Sequence, residues 1–275
     1  MKDRSILMEP VAFIGEEAGK QAEEFRIGSE SDWKRPTFCE GWTRKHIVAH
    51  AATGASFYAQ VVASGVQGKP QPPFGASDRE TFLQHRNDRM ARLLDLASDR
   101  LVDEFEMEHH RFVRAVESLS LDDLRFPAWH PMGKIPVGHF AGMRLHELAL
   151  HDWDIRVAED PGAALRTHLL TPLLRALPLM QARFLNLRPA AEAPDGCFRL
   201  VPNEAAPWAL SIRRGLAILA ETDETEAEMT GDGETFILHT TGRVSWRDAE
   251  AKGRLFIQGD RPKAEKFLDA LSVSY

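Results

Sequence analysis

Glu147 and His151 stand four residues apart in the segment MRLHELALHDWDIRVAED. On an α-helix that spacing stacks them on one face, with Arg144 three residues before Glu147 and Asp154 three residues after His151 on the same stripe. Leu145, Leu148, Leu150, Trp153 and Ile155 occupy the other sides, so the pattern predicts a buried helix that turns one polar stripe inward. Buried ionisable groups are costly unless they are paired or bound to a metal. Two arrangements meet that demand: a self-satisfied ladder, Arg144 to Glu147 and His151 to Asp154, or a divalent metal on Glu147 and His151. Spacing alone leaves both open.

A third donor raises the interest of the metal arrangement. His50 lies in VAHAATG, inside a run, residues 47–68, that contains no Lys, Arg, Asp or Glu. The run is about as long as a bilayer span, but His50, Thr53, Gly54, Ser56 and Gln60 suit a helix buried in protein rather than in lipid. A lone core histidine is ordinarily just hydrogen-bonded. Taken with Glu147 and His151, however, His50 completes a set of two nitrogens and one oxygen with a fourth position open, which is how catalytic zinc sites are built. His46 is one turn from His50 but adjoins Arg44 and Lys45, and it reads as solvent-facing. Cys39, just ahead of Gly41 and Trp42, reads as a residue that seats its loop, and Trp42 and Trp153 read as packing. His109, His110, His130 and His139 follow no ligand spacing.

The elements that must position these residues are mostly helical. Residues 5–27 carry near-helical apolar spacing, Thr43 can N-cap a helix reaching about residue 64 although Lys45 and His46 give it no capping box, and Ser77 or Asp78 can cap the next one. That helix carries Phe82, Leu93 and Leu94, and its pattern runs on with an interruption through Phe105 and Phe112 to Leu119. A helix from about 139 to 158 holds the Glu147–His151 stripe, and another spans about 163–187, with Pro172 and Pro178 expected to kink or split it. Pro- and Gly-bearing loops between long helices predict an antiparallel helical bundle over residues 1–187.

After Arg188 and Pro189 the character changes. Residues 197–201, 208–212, 216–220 and 254–258 read as short strands, residues 234–241 as a helix, and Asp260 with Pro262 as the start of a last helix. Residues 221–234 hold seven acids and no base, and they read as a solvated turn region rather than a carboxylate cage. Residues 195–275 therefore form a small α+β domain, and the fold class is α+β.

Composition limits the partners. The 275-residue chain carries a net charge of −7, with 43% hydrophobic and 27% charged residues, so it is an ordinary globular protein without a phosphate-tracking surface. Two cysteines make no disulfide framework and fit a reducing, cytoplasmic setting. The N-terminal residues lack the apolar core of a signal peptide. Nucleic acid and membrane are not expected partners.

FCEGWTRKHIVAHAATG and RLHELALHDWDIRVAED, the second followed by an Asp160-Pro161-Gly162 turn, together resemble the two signatures of the mycothiol-dependent maleylpyruvate isomerases within the wider DinB-like superfamily. The resemblance covers residues 5–187, as an N-terminal antiparallel four-helix bundle, and extends more weakly to 195–275, where ILHTTGRVSW and RLFIQGD are similar to segments of that family's sterol-carrier-like C-terminal domain. It implies that His50, Glu147 and His151 bind one divalent metal, usually zinc, and that Arg243 reaches into the cleft. The implied thiol is mycothiol, whose thiolate attacks a small electrophile; rotation and loss of the thiol gives cis–trans isomerisation, and release of the adduct gives S-transfer. The chain departs from the isomerases in the loop 65–77 and in the tail after Arg243, both of which bear on the substrate pocket. The implied partners are a small thiol and a small electrophile, with the chain a monomer or homodimer. A reading of another class is a non-catalytic carrier or regulator that binds a hydrophobic ligand through the C-terminal domain and keeps the metal for structure. Structural zinc usually has four protein ligands, often cysteines, and three ligands without a thiolate favour the enzyme.

Overall fold

The computed structural model describes residues 4–189 and 192–272. Its chain divides into two compact units, Met1–Leu165 and Arg166–Tyr275. The first is helical: Arg4–Arg26 (α1), the short Glu30–Trp33 (α2), Arg44–Val66 (α3), Arg79–Leu94 (α4), Ser98–Glu117 (α5) and Phe140–Glu159 (α6). A two-residue hairpin, Pro127–Ala128 (β1) with Ile135–Pro136 (β2), lies between α5 and α6.

Four of these helices form the bundle, α1 packing on α5 and α6, and α3 packing on the same two from the other side. Arg26 at the end of α1 bonds Asp103 and Glu106 early in α5, so that pair is antiparallel. The α3–α6 pair is also antiparallel, since Tyr58 late in α3 meets Phe140 at the start of α6 while His50 meets His151. The α3–α5 pair runs in one direction, Lys45 lying against Leu96 and Tyr58 against Phe112. It can do so because α4 carries the chain back between them.

Each helix is held by the face its sequence supplies. In α5 the stripe Leu101, Phe105, Phe112 and Val116 is fully buried, each side chain stabilising the bundle by about 1.5–3 kcal/mol. His109 sits in that stripe, its Nδ1 on the Phe105 carbonyl at 2.7 Å and its pKa pushed well down by burial, so it is a neutral core residue. The uncharged run in α3 is buried in protein, as its polar residues suggested. Among the described residues no helix is long and apolar enough to cross a membrane. The start of α3 does carry a capping box, contrary to the expectation from Lys45 and His46. The His46 imidazole takes the acid's place, accepting from the Thr43 N–H at 3.2 Å.

The second unit begins earlier than the expected boundary at 187. Its first helix, Thr167–Asn186 (α7), was placed in the bundle by periodicity, but its polar side chains find their partners in the sheet domain. Buried Gln181 bonds Thr240 and accepts from the Trp208 indole at 2.9 Å each, and Asn186 bonds both the N–H and the C=O of Ala217. Pro172 and Pro178 do not split it. The strands are Gly196–Pro202 (β3), Trp208–Arg213 (β4), Leu216–Ala220 (β5), Ala227–Gly231 (β6) and, after the helices Gly233–Thr240 (α8) and Trp246–Ala251 (α9), Leu255–Gly259 (β7); Arg261–Leu271 (α10) follows.

The sheet order is β5-β4-β3-β6-β7, with β3 and β6 parallel and the other neighbours antiparallel. Phe198 of β3 stacks on Phe267 of α10, centroids 4.5 Å apart, in the core of this unit. Strand β6 was missed because it lies inside the acidic run read as a turn. Its Ala227, Met229 and Gly231 face inward while Glu228 points out toward Arg199, so the period-2 pattern is masked by flanking acids.

Candidate metal centre

The site is built where the loop before α3 meets α6. Gly41 takes a positive φ of +74°, which lets the Trp42 N–H reach the Cys39 carbonyl at 3.0 Å and close a tight turn. Two bonds pin this turn to α6: the Phe38 N–H donates to the Asp154 carbonyl at 2.9 Å, and the Cys39 thiol donates to Asp154 Oδ2 at 3.3 Å. Cys39 thus seats its loop. The turn lays the Trp42 ring among three imidazoles, with centroids 6.5 Å from His46, 5.1 Å from His50 and 6.2 Å from His151.

The sequence-predicted residues converge in part. His50 and His151 come from α3 and α6, and their rings meet edge to face at 4.9 Å. Asp154, fully buried, takes His151 Nδ1 at 2.9 Å. An ionised carboxylate only accepts, so Nδ1 is the donor and Nε2 keeps its lone pair. A carboxylate behind the imidazole is the usual support of a metal-bound histidine. Burial, followed by the charges of His151, Arg144 and Arg86, pushes the His50 pKa well down against the pull of Asp154, which leaves the imidazole in its neutral, ligating form. Among the described residues the His50 imidazole makes ring contacts with Trp42 and His151 and no side-chain hydrogen bond.

Glu147 is held differently. Its Oε1 accepts from the Tyr58 hydroxyl and its Oε2 from Arg144 Nη1, both at 2.8 Å. Arg144 is completely buried, and its Nε and Nη2 have no hydrogen-bond partner among the described residues. Desolvation lowers its pKa, with the Glu147 charge opposing. Gly54 makes the room: a Cβ there would lie 2.5 Å from Arg144 Nη1 and 3.2 Å from Glu147 Oε2. The ladder anticipated from spacing is therefore present in both rungs.

Among the described residues the group of three His, Cys or acid donors that closes to within 4.8 Å is Cys39, His151 and Asp154, and neither His50 nor Glu147 is in it. That trio is already joined by hydrogen bonds onto Asp154 Oδ2. The donor types of His50, Glu147 and His151 fit a divalent metal: two imidazoles, one without a side-chain hydrogen bond and the other oriented from behind by Asp154, and a carboxylate whose oxygens each keep accepting capacity. Arg243 lies in the second unit, on the turn after α8, where Nη1 donates to the Thr241 carbonyl at 3.1 Å.

Sequence reasoning missed Tyr58 and Gly54. Both were within reach, since His50, Gly54 and Tyr58 recur every four residues on one face of α3. It also took Trp42 for packing alone.

Comparison with known proteins agrees with this picture. Two crystal structures, one of a mycothiol-dependent maleylpyruvate isomerase and one of a mutant of such an enzyme, are each 19% identical to this chain. Each match covers 94% of this chain and 95% of the other, with TM-scores of 0.61 and 0.60, so the likeness extends to the whole fold. A sterol carrier protein 2 like 2 from Aedes aegypti matches 35% of this chain and 97% of its own at 16% identity and a TM-score of 0.28. No curated protein matches the chain by sequence. The family model described as mycothiol maleylpyruvate isomerase N-terminal domain matches residues 18–156, the span that contains His50, Glu147 and His151. The chain belongs to the mycothiol maleylpyruvate isomerase family.

Proposed function

We propose that this protein is a metal-dependent enzyme that uses a small thiol, mycothiol, to act on a small electrophile by cis–trans isomerisation or S-transfer. The observation that carries the reading is the pairing of His50 with His151 across two helices, with buried Asp154 fixing the second imidazole from behind. His50, Glu147 and His151 would hold the metal, zinc being the natural ion for two imidazoles and a carboxylate. When bound, such an ion supplies Lewis acidity and favours the thiolate of an entering thiol.

The chain's own residues do the rest. Asp154 holds the His151 proton at Nδ1, so Nε2 stays free to ligate. Tyr58 and Arg144 fix the Glu147 carboxylate and stop it from turning away. Trp42 covers the imidazoles with an apolar ring and excludes water from their flank. Arg243 is assigned to an anionic group of the substrate.

Metal analysis tests the ligand set: His50→Ala, Glu147→Ala and His151→Ala should each lose the single bound ion, and full occupancy in all three would sink it. Arg243→Ala should keep the metal but lower kcat/KM for maleylpyruvate with mycothiol by about 10²–10³, the usual cost of losing a charge-stabilising donor. Near-normal turnover by that variant would confine the chemistry to the helical unit and remove Arg243 from it.

A further inference from the structure

The sheet of the second unit has two unlike faces. Phe198, Leu200, Leu210 and Ile212 point to the inner side and are fully buried, Phe198 against Phe267 of α10. Along β5 and the end of β4 the alternate residues turn the other way. Leu216 pairs with Arg213 and Ile218 with Ser211 across the hairpin, so these four share the outer face. There Leu216 is 61% and Ile218 54% exposed, more than single apolar side chains need to be at a strand surface.

Strand β5 is also an edge of the sheet, the arrangement that invites another strand. Backbone pairing is closed off here. Asn186 of α7 donates to the Ala217 carbonyl at 2.9 Å and accepts from its N–H at 2.7 Å, taking the groups with which a further strand would pair. A partner must therefore meet β5 through the side chains of its outer face.

The charges at the two ends of the strand say what that partner is. Arg213 and Arg214 precede β5, and Glu221 and Glu224 follow it. All four are exposed, and among the described residues their side chains have no ion-pair partner, whereas the neighbouring Asp223 pairs with Arg199. The strand between them, LAILA, carries no charge, and Ile218 lies about midway between the basic and the acidic end. A second copy laid face to face with its strand reversed, about a two-fold axis at Ile218, sets one apolar centre on the other and each basic end on an acidic end. Such a contact is isologous, so every pairing occurs twice. Strands running in the same direction would instead oppose arginines to arginines. A lipid surface fits less well, because Glu221, Asp223 and Glu224 border the apolar pair and anionic headgroups would repel them.

We propose that the outer face of β5 is a self-association surface, on which two copies of this chain meet through Leu216 and Ile218 with the arginines of each against the glutamates of the other. The outer face of two short strands is far smaller than the roughly 2,000 Å² or more that obligate dimers bury, so the dimer is a reversible one. It does not depend on the chemistry of the metal centre.

Sedimentation equilibrium of the full-length chain, from about 1 to 500 µM, reads the association. The wild type should pass from monomer to dimer within that range. Ile218→Asp places two carboxylates face to face at the axis and should stay monomeric, with an unchanged circular dichroism spectrum. Arg213→Glu with Arg214→Glu should raise the dimer Kd at least about tenfold, since like charges then oppose at both ends. Adding Glu221→Arg and Glu224→Arg to that chain reverses both ends together and should restore dimerisation. A wild type monomeric throughout, a dimer that survives Ile218→Asp, an arginine reversal without effect, or a quadruple variant that stays monomeric would each overturn the assignment. So would binding of a monomeric chain to phosphatidylserine–phosphatidylcholine vesicles that Ile218→Asp abolishes, which would make the face a membrane surface.

Discussion

Replacing Gly54 by alanine tests the buried half of the site directly. Gly54 lies in the middle of α3, where glycine ordinarily costs a helix about 1 kcal/mol relative to alanine. On that ground alone the substitution should stabilise. The structure reverses the sign, because the new Cβ would fall 2.5 Å from Arg144 Nη1 and 3.2 Å from Glu147 Oε2. Arg144 has no exposed surface to swing into, and the atom in the way is the one bonded to Glu147 at 2.8 Å. Overpacking costs about 1–3 kcal/mol, and loss of a charged hydrogen bond adds about 1.5–3 kcal/mol. After the helix gain of about 1 kcal/mol is subtracted, a net destabilisation of about 1.5–5 kcal/mol remains. Gly19, inside α1 with nothing within 4 Å of its notional Cβ, is the control; Gly19→Ala should stabilise by up to about 1 kcal/mol. Urea denaturation of the metal-free variants, followed by circular dichroism, reads both. If Gly54→Ala matches or exceeds Gly19→Ala in stability, Arg144 and Glu147 do not pack against α3 as described.

Two further outcomes follow from the loop and its anchor. Asp154→Asn should keep the fold but lower metal affinity by about 10–100-fold, since the amide no longer fixes the His151 tautomer; unchanged affinity in a metal-competition titration would make Asp154 a packing residue only. Cys39→Ser should keep most of the turnover with mycothiol as thiol source, because the hydroxyl can still donate to Asp154 Oδ2. A variant that holds its metal yet is inactive would point to Cys39 as the nucleophile.

Much of this molecule was legible in the sequence because its signals are local. The Arg144–Glu147–His151–Asp154 stripe follows from helical period, and both of its rungs form with the partners the spacing gives. The uncharged run around His50 announced a buried helix, and the change of character after Pro189 announced a sheet. These patterns depend on 3.6- and 2-residue periods, which neighbouring residues carry by themselves.

Tertiary structure decided what period cannot reach. Whether α7 joins the bundle or the sheet depends on where Gln181 and Asn186 find partners, and those partners are 59 and 31 residues away along the chain. Strand β6 exists because β3 and β7 flank it, although the acids around it disguise its alternation. The meeting of Trp42, His50 and His151, the space left by Gly54 for Arg144, and the bond from Tyr58 to Glu147 all join α3 or its preceding turn to α6, across 89 residues in the last case. A sequence lists donors one helix at a time; only packing two helices face to face sets which donors share a site and which charges are left to be balanced.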